Sequence, residues 1–214
     1  MVCGLALSAA FAPSLHARIL DRVVASVGGQ AITASDVETE YRFERFMEGL
    51  VPTGKPAAPA RGVILNRLIS RMLLQDDMRN SGAGIKPSEA DARRALRQIR
   101  QRFHSTAQYR SAVKSLGMGE AEVLKRLEVY QETLRYVDRR FRPVTPPTAA
   151  EIRVFYGSTF LPQFQKHHPH QPPPPLVKVE SPIQEILFQK ELDQRLNEWL
   201  KEMRSTERVR IIRN

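Results

Sequence analysis

The chain reads as β-strand only at its two ends, and this constrains its fold more than any other feature. Near the start, Arg22-Val23-Val24-Ala25-Ser26-Val27 is short and β-branched, Gly28-Gly29-Gln30 supplies a turn, and Ala31-Ile32-Thr33 completes the signature of a small hairpin. At the far end, Arg208-Val209-Arg210-Ile211-Ile212 is a second such run in a basic frame. A lone short strand is not stable without a partner. The terminal run is therefore expected to pair with Val23–Val27, so that the two ends of the chain meet in one small sheet.

Everything between reads as helix. Aromatics make up 7% of the chain, and its apolar content comes mainly from Leu, Val, Ile, Ala and Met, which favours helix packing over a sandwich. Thr33 and Ser35 each have an acid three residues on, so a capping box opens a first helix over about Asp36–Gly49, carrying Phe43, Phe46 and Met47. Val51–Pro59 holds three prolines and Gly54 and reads as a linker or a mobile lid. From Ala60 to Ser81 the residues Val63, Ile64, Leu68, Met72, Leu73 and Met78 mark a long helix, apolar enough to be the central one. Gly82-Ala83-Gly84 ends it. Lys86-Pro87-Ser88-Glu89 opens a third helix with Pro87 near its first position, running to about Phe103. Ser105 with Gln108 opens a short fourth that Gly117 stops.

A fifth helix spans Gly119–Phe141, with Val123, Leu127, Tyr130, Leu134, Val137 and Phe141 on one continuous apolar face, and is expected to pack along that side only. Thr148 with Glu151 begins a sixth, which fades near Leu161. Gln163–Val179, with its histidines and Pro172–Pro175, reads as an extended, polyproline-like connector. The last helix, about Ile183–Arg204, places Leu192, Leu196, Trp199, Leu200 and Met203 on one face. The expected fold class is mainly α, a helical core with a small sheet made by short N- and C-terminal strands.

Met1–Ala17 is an apolar run rich in Ala and Leu, and Leu15-His16-Ala17 places a small residue before Arg18, as at the end of a signal peptide. It falls short of the ~20 residues that a membrane helix needs. The expected organisation is a signal peptide over 1–17, a helical core over 18–161, a His- and Pro-rich linker over 162–182, and a helix and strand over 183–214 that complete the core.

Nothing in the chain assembles a catalytic apparatus. There is no Ser-His-Asp arrangement, no Gly-rich phosphate loop and no HExxH, so no catalytic or cofactor-binding residue is assigned and no cofactor is expected. The only cysteine, Cys3, excludes an intramolecular disulfide framework. His167, His168 and His170 lie in a Pro-rich stretch without a nearby carboxylate and read as solvated linker rather than metal site.

The net charge of +10 attracts anionic partners. Arg93, Arg97 and Arg100, with Arg94 and Arg102 beside them, and Arg135, Arg139, Arg140 and Arg142 form stripes of the kind that grip phosphates. No aromatic residues interleave with them, and Glu128 and Glu132 stand at pairing distance, so they read as solvated faces. A basic nucleic-acid-binding helical protein is the alternative class. Met47, Met72, Met78 and Met118 count as a binding surface only if several line one groove.

The run Arg22–Asp36 resembles the start of mature SurA-type periplasmic chaperones, in which a "VVAVVNGxxIxxSD" strand and turn lead into the first helix. Leu65–Gln75 resembles the long second helix of that family, Ile85–Asp91 the beginning of its third, and Arg139–Ile152 its "RRxIxxxxxEI" junction. Trp199–Ile212 is similar to the C-terminal helix and strand that complete the same domain. Family members usually carry parvulin-type prolyl isomerase domains between these parts, and Gln163–Pro182 is far too short for one. The resemblance implies ATP-independent holding of unfolded polypeptides, outer-membrane β-barrel precursors above all, in the periplasm. It implies no isomerase activity, no nucleic-acid partner and, with the basic surface, transient contact with the membrane face. It carries over no residue of the peptide-binding cleft.

Overall fold

The computed structural model describes residues 21–206 and 209–212, so the expected signal peptide at 1–17 lies outside the described residues. Strands β1 (Val23–Val27) and β2 (Gln30–Thr33) form the hairpin, and its turn residues Gly28 and Gly29 both have positive φ, 56° and 85°. Two such residues give the tight turn whose twist matches the flanking strands. Strand β3 (Val209–Ile211) lies antiparallel on the other side of β1, with Val27 opposite Val209 and Ala25 opposite Ile211. The sheet order is β2-β1-β3, and the N- and C-terminal strands meet as their length and isolation require.

Helix α1 (Ala34–Met47) is capped by Thr33, whose side chain accepts from the Asp36 N–H while Asp36 reaches back to the Thr33 N–H. Ser35 thus falls inside the helix. Pro52 and Pro56 in the following loop are buried, and Lys55 pairs with Glu38 at 3.0 Å, so this segment is pinned to the body. Helix α2 (Ala58–Ser81) carries Pro59 in its first turn, where a missing N–H costs nothing. Helix α3 (Glu89–Arg100) starts one step later than expected. Ser88 is its cap and Asp91 closes the box, which leaves Pro87 outside the helix.

Helix α4 (Thr106–Leu116) has half of the expected box. Ser105 accepts from the Gln108 N–H, but the Gln108 side chain turns to the His104 N–H. Helix α5 (Glu120–Phe141) packs against α3, α2 and α8 (Leu176–Ser205), and the expectation of a single packed side is overturned. Thr133 and Tyr136 are buried although they lie off the apolar stripe, while Leu134, on the stripe, is 51% exposed. The cause is that each half of α5 faces different neighbours. Val123 and Leu127 enter a core with Phe43, Phe46, Leu96, Tyr109 and Leu116, whereas Tyr136 and Phe141 enter another with Leu74, Met78 and Leu192. A third core lies under the sheet, where Ala25, Val27 and Ile32 meet Val37, Ile64, Ile69 and Leu73. Helices α2 and α5 share the central position.

The largest departure from expectation lies between α5 and the C-terminus. Helix α6 (Ala149–Phe155) passes at Tyr156–Phe160 into a π turn and continues as α7 (Leu161–His167) instead of fading near Leu161. The π turn falls at Gly157-Ser158, where the Ser158 hydroxyl donates to the Val154 carbonyl at 2.7 Å, a side-chain intrusion of the kind that widens a helix. Helix α8 begins at Leu176, seven residues before the expected Ile183, and absorbs Pro182. Only His168–Pro175 of the expected connector lies outside a helix. The proline density of this stretch hid the helix-forming run that follows it, which packs against α6 and buries Ile183.

Candidate polypeptide-binding groove

Helices α2 and α5 leave an open furrow along one side of their crossing. One compartment, about 590 Å³, lies between α1, α2, α3 and α5, with Met47, Ala95, Ile99 and Leu127 among its walls. The second, about 550 Å³, lies between α2, α5 and α8, with Val63, Leu74, Val137 and Leu196 among its walls. Arg67, Arg71, Tyr130 and Leu134 line both, so the two compartments abut along a shared wall. Val63 and Leu134 are each 51% exposed, which puts two large apolar side chains of this surface in water.

The helices that wall the furrow are held together by ions. Glu40 projects from α1 with its side chain fully buried, and accepts from both terminal nitrogens of Arg71 on α2 and from Arg126 on α5 at 2.8 Å. Burial alone pushes the Glu40 carboxyl up, but the two guanidiniums outweigh it and hold the group below its ordinary value, so it is ionised. Burial likewise lowers the Arg71 guanidinium while Glu40 raises it, and Glu40 prevails. The Arg126 guanidinium lies 4.8 Å over the Phe43 ring, which adds a cation–π contact to the core beside it.

The rims are polar and tied down. Arg67 pairs with Glu44 at 2.7 Å. Arg102 donates to the Met47 carbonyl at 2.7 Å, an approach allowed by Gly49, because a Cβ there would stand 2.5 Å from that of Arg102. At the other end Arg204 of α8 donates to the Asn66 carbonyl at 2.9 Å and to the Ser70 hydroxyl at 2.7 Å, which fixes the last turn of α8 against α2.

The structure separates the four methionines. Met47 lines the first compartment, Met78 is buried, Met118 packs on the first core, and Met72 lines a further cavity of about 350 Å³ with Phe43 and Arg126. They form no common surface. Five of the nine stripe arginines pair with acids other than Glu128 and Glu132. Arg94 and Arg135 pair with Asp91, Arg140 with Asp77, Arg142 with Asp138, and Arg93 with Glu89. Three of these pairs are intrahelical, whereas the acids for Arg135 and Arg140 come from neighbouring helices, which spacing along α5 could not reveal.

His167 places Nδ1 at 2.8 Å from the Gln163 carbonyl, and His168 stacks on Phe164 with centroids 4.8 Å apart. Among the described residues no group of three or more His, Cys, Asp or Glu is placed to hold a metal ion, and no helix is long and apolar enough to cross a membrane. The residues that shape the furrow, Glu40, Arg71 and Arg126, were not singled out from the sequence. A signal was available: Glu40 lies three residues from both Val37 and Phe43, inside a buried stripe.

An open furrow with apolar side chains in its walls and a tethered polar rim, on a helical body closed by a three-stranded sheet, is the form of a helical binding module. The family model for the SurA-like N-terminal domain matches residues 6–134, more than half of the sequence, and the chain belongs to that family. Membership carries a chaperone-like role and the binding of unfolded polypeptide in general, and the N-terminal domain of the family is by itself non-catalytic. No curated protein matches the chain by sequence.

Proposed function

We propose that the protein is an ATP-independent periplasmic chaperone that holds unfolded outer-membrane β-barrel precursors or secreted chains in the furrow between α2 and α5. The observation that carries this reading is the pair of abutting compartments with Val63 and Leu134 exposed along them. Holding needs apolar surface offered to apolar segments and a rim that tolerates main chain, and it needs no reacting group. The net charge of +10 favours acidic clients and brief contact with anionic membrane surface.

The test uses residues 18–214 at physiological salt without nucleotide. A urea-unfolded outer-membrane β-barrel protein is diluted into it, and light scattering is followed. Suppressed scattering is the expected outcome, together with no turnover of a prolyl peptide. Unsuppressed scattering accompanied by salt-sensitive binding to nucleic acid would overturn the reading in favour of a nucleic-acid-binding protein. Compartment is checked by fusing residues 1–30 to an export-dependent reporter, which is expected to become active.

A further inference from the structure

The segment from α6 to the start of α8 contributes Ile152 and Ile183 to the buried set, yet most of its aromatic side chains stay outside the three cores. Tyr156, Phe160, Phe164 and His168 follow one another at four-residue spacing and stack in a line. Successive centroids are 5.5, 5.9 and 4.8 Å apart, with ring planes 16°, 28° and 35° from parallel. In an α-helix each step of four residues overshoots a full turn by about 40°, so such a series winds away around the axis. The wider π turn between Tyr156 and Phe160 takes back part of that overshoot and keeps the rings on one side. Tyr156, Phe160 and Phe164 are half-buried and His168 is exposed, so the ladder retains open ring surface.

The chain's own proline run meets the ladder at its Tyr156 end. The Tyr156 hydroxyl donates to the Pro174 carbonyl at 2.8 Å. Pro175 has φ −63° and ψ 151°, polyproline-II values, and Pro174 is half-buried while Pro172, Pro173 and Pro175 are exposed. A polyproline-II helix repeats every three residues, so one proline in three against a partner is the burial that docking along an edge produces. Such a strand has no internal hydrogen bonds, and its carbonyls are free for a donor beside an aromatic surface. The ladder supplies both.

We propose that the aromatic ladder Tyr156-Phe160-Phe164-His168 is a binding site for proline-rich extended polypeptide, with Pro172–Pro175 as a tethered occupant that a proline-rich ligand displaces. The tether holds the occupant at high effective concentration, so the site in the intact protein binds external ligand weakly and opens when the tethered run is removed. This site lies apart from the α2/α5 furrow and shares no residue with its two compartments.

The test is the binding of a fluorescein-labelled decaproline peptide to the full chain, read by anisotropy. Replacing Pro172, Pro173 and Pro174 with serine is expected to tighten binding by roughly tenfold or more. Adding Phe160→Ala and Phe164→Ala is expected to remove it. A triple-serine variant that keeps its helical circular dichroism yet binds decaproline no better than the unaltered chain overturns the proposal. So does equal binding of a Gly-Ser peptide of the same length. A second measurement needs no variant: millimolar decaproline added to the unaltered chain is expected to shift the NMR signals of residues 156–175. Their failure to move overturns the proposal as well.

Discussion

The Glu40 carboxylate accepts a hydrogen bond from the Arg126 guanidinium at 2.8 Å across 86 positions of sequence, and so ties α1 to α5, two of the helices that wall the furrow. Arg71 completes the bridge to α2. A fully buried acid shared by two cations fixes where three helices cross, and the open space beside that crossing is the candidate groove.

Removing one member of a buried ionic cluster leaves the others uncompensated. Glu40→Ala strands Arg71 and Arg126 against the core and is expected to destabilise the protein by about 3 kcal/mol, at the low end for such groups because both arginines keep some access to water. Urea unfolding of the variant checks this. A loss below about 1 kcal/mol would mean that the arginines relax to solvent freely and that the cluster does not fix the helices.

Acid should weaken the fold through two carboxylates. The Ser88 side chain, the Arg135 guanidinium and the Ser88 N–H lower the Asp91 carboxyl from 3.8 to about 2, and Arg71 and Arg126 keep Glu40 below its ordinary value against the cost of burial. A carboxyl depressed in the folded state contributes stability that is complete above its unfolded value and is lost as pH falls through its folded one. For Asp91 that window runs from 3.8 down to about 2. The urea midpoint is therefore expected to be insensitive to these groups at pH 5–7 and to fall below about pH 4. Asp91→Asn, which no longer titrates, is expected to lower stability at pH 7 and to flatten the decline; an unchanged pH profile in that variant would refute the assignment.

The elements that the sequence revealed are those whose signals are local. The capping boxes at Thr33 and Thr148 rest on residues three apart, and the β1–β3 pairing follows because a strand as short as Val209–Ile211 is not stable alone. What stayed hidden depends on neighbours distant in sequence. Leu134 reads as core from its spacing and is left in water because α8 meets α5 further along, at Tyr136 and Phe141. The acids that neutralise Arg135 and Arg140 come from α3 and α2. The candidate groove was the least legible part, since it is a gap between helices whose position is set by Glu40, Arg71 and Arg126 together.

The pairing of β1 with β3 makes the C-terminus structural. Ending the chain at Ser205 removes the partner of Val27 and Ala25, the hydrogen bond from the Ile212 N–H to the Val24 carbonyl, and the packing of Val209 on the sheet core. A few such bonds and one half-buried valine are worth about 2 kcal/mol. The thermal midpoint is expected to fall by roughly 4–8 °C. An unchanged midpoint would show that the β1–β2 hairpin and α2 hold the sheet core without the third strand.

Binding and stability should separate at the furrow wall. Val63 and Leu134 are half exposed, and an aspartate at either position meets solvent on its open side, so Val63→Asp and Leu134→Asp are expected to change stability by no more than about 0.5 kcal/mol. Each places a charge on the apolar surface that a client must cover, and burying an unpaired carboxylate against it is strongly unfavourable. The double variant is expected to keep its thermal midpoint within about 4 °C while losing most of its suppression of client aggregation. Asp at Val154, an exposed valine on α6 away from both compartments, provides the control and is expected to leave suppression intact. Equal losses in the double variant and the Val154 control would indicate non-specific repulsion of clients by added charge, and full retention in the double variant would remove the furrow from the mechanism.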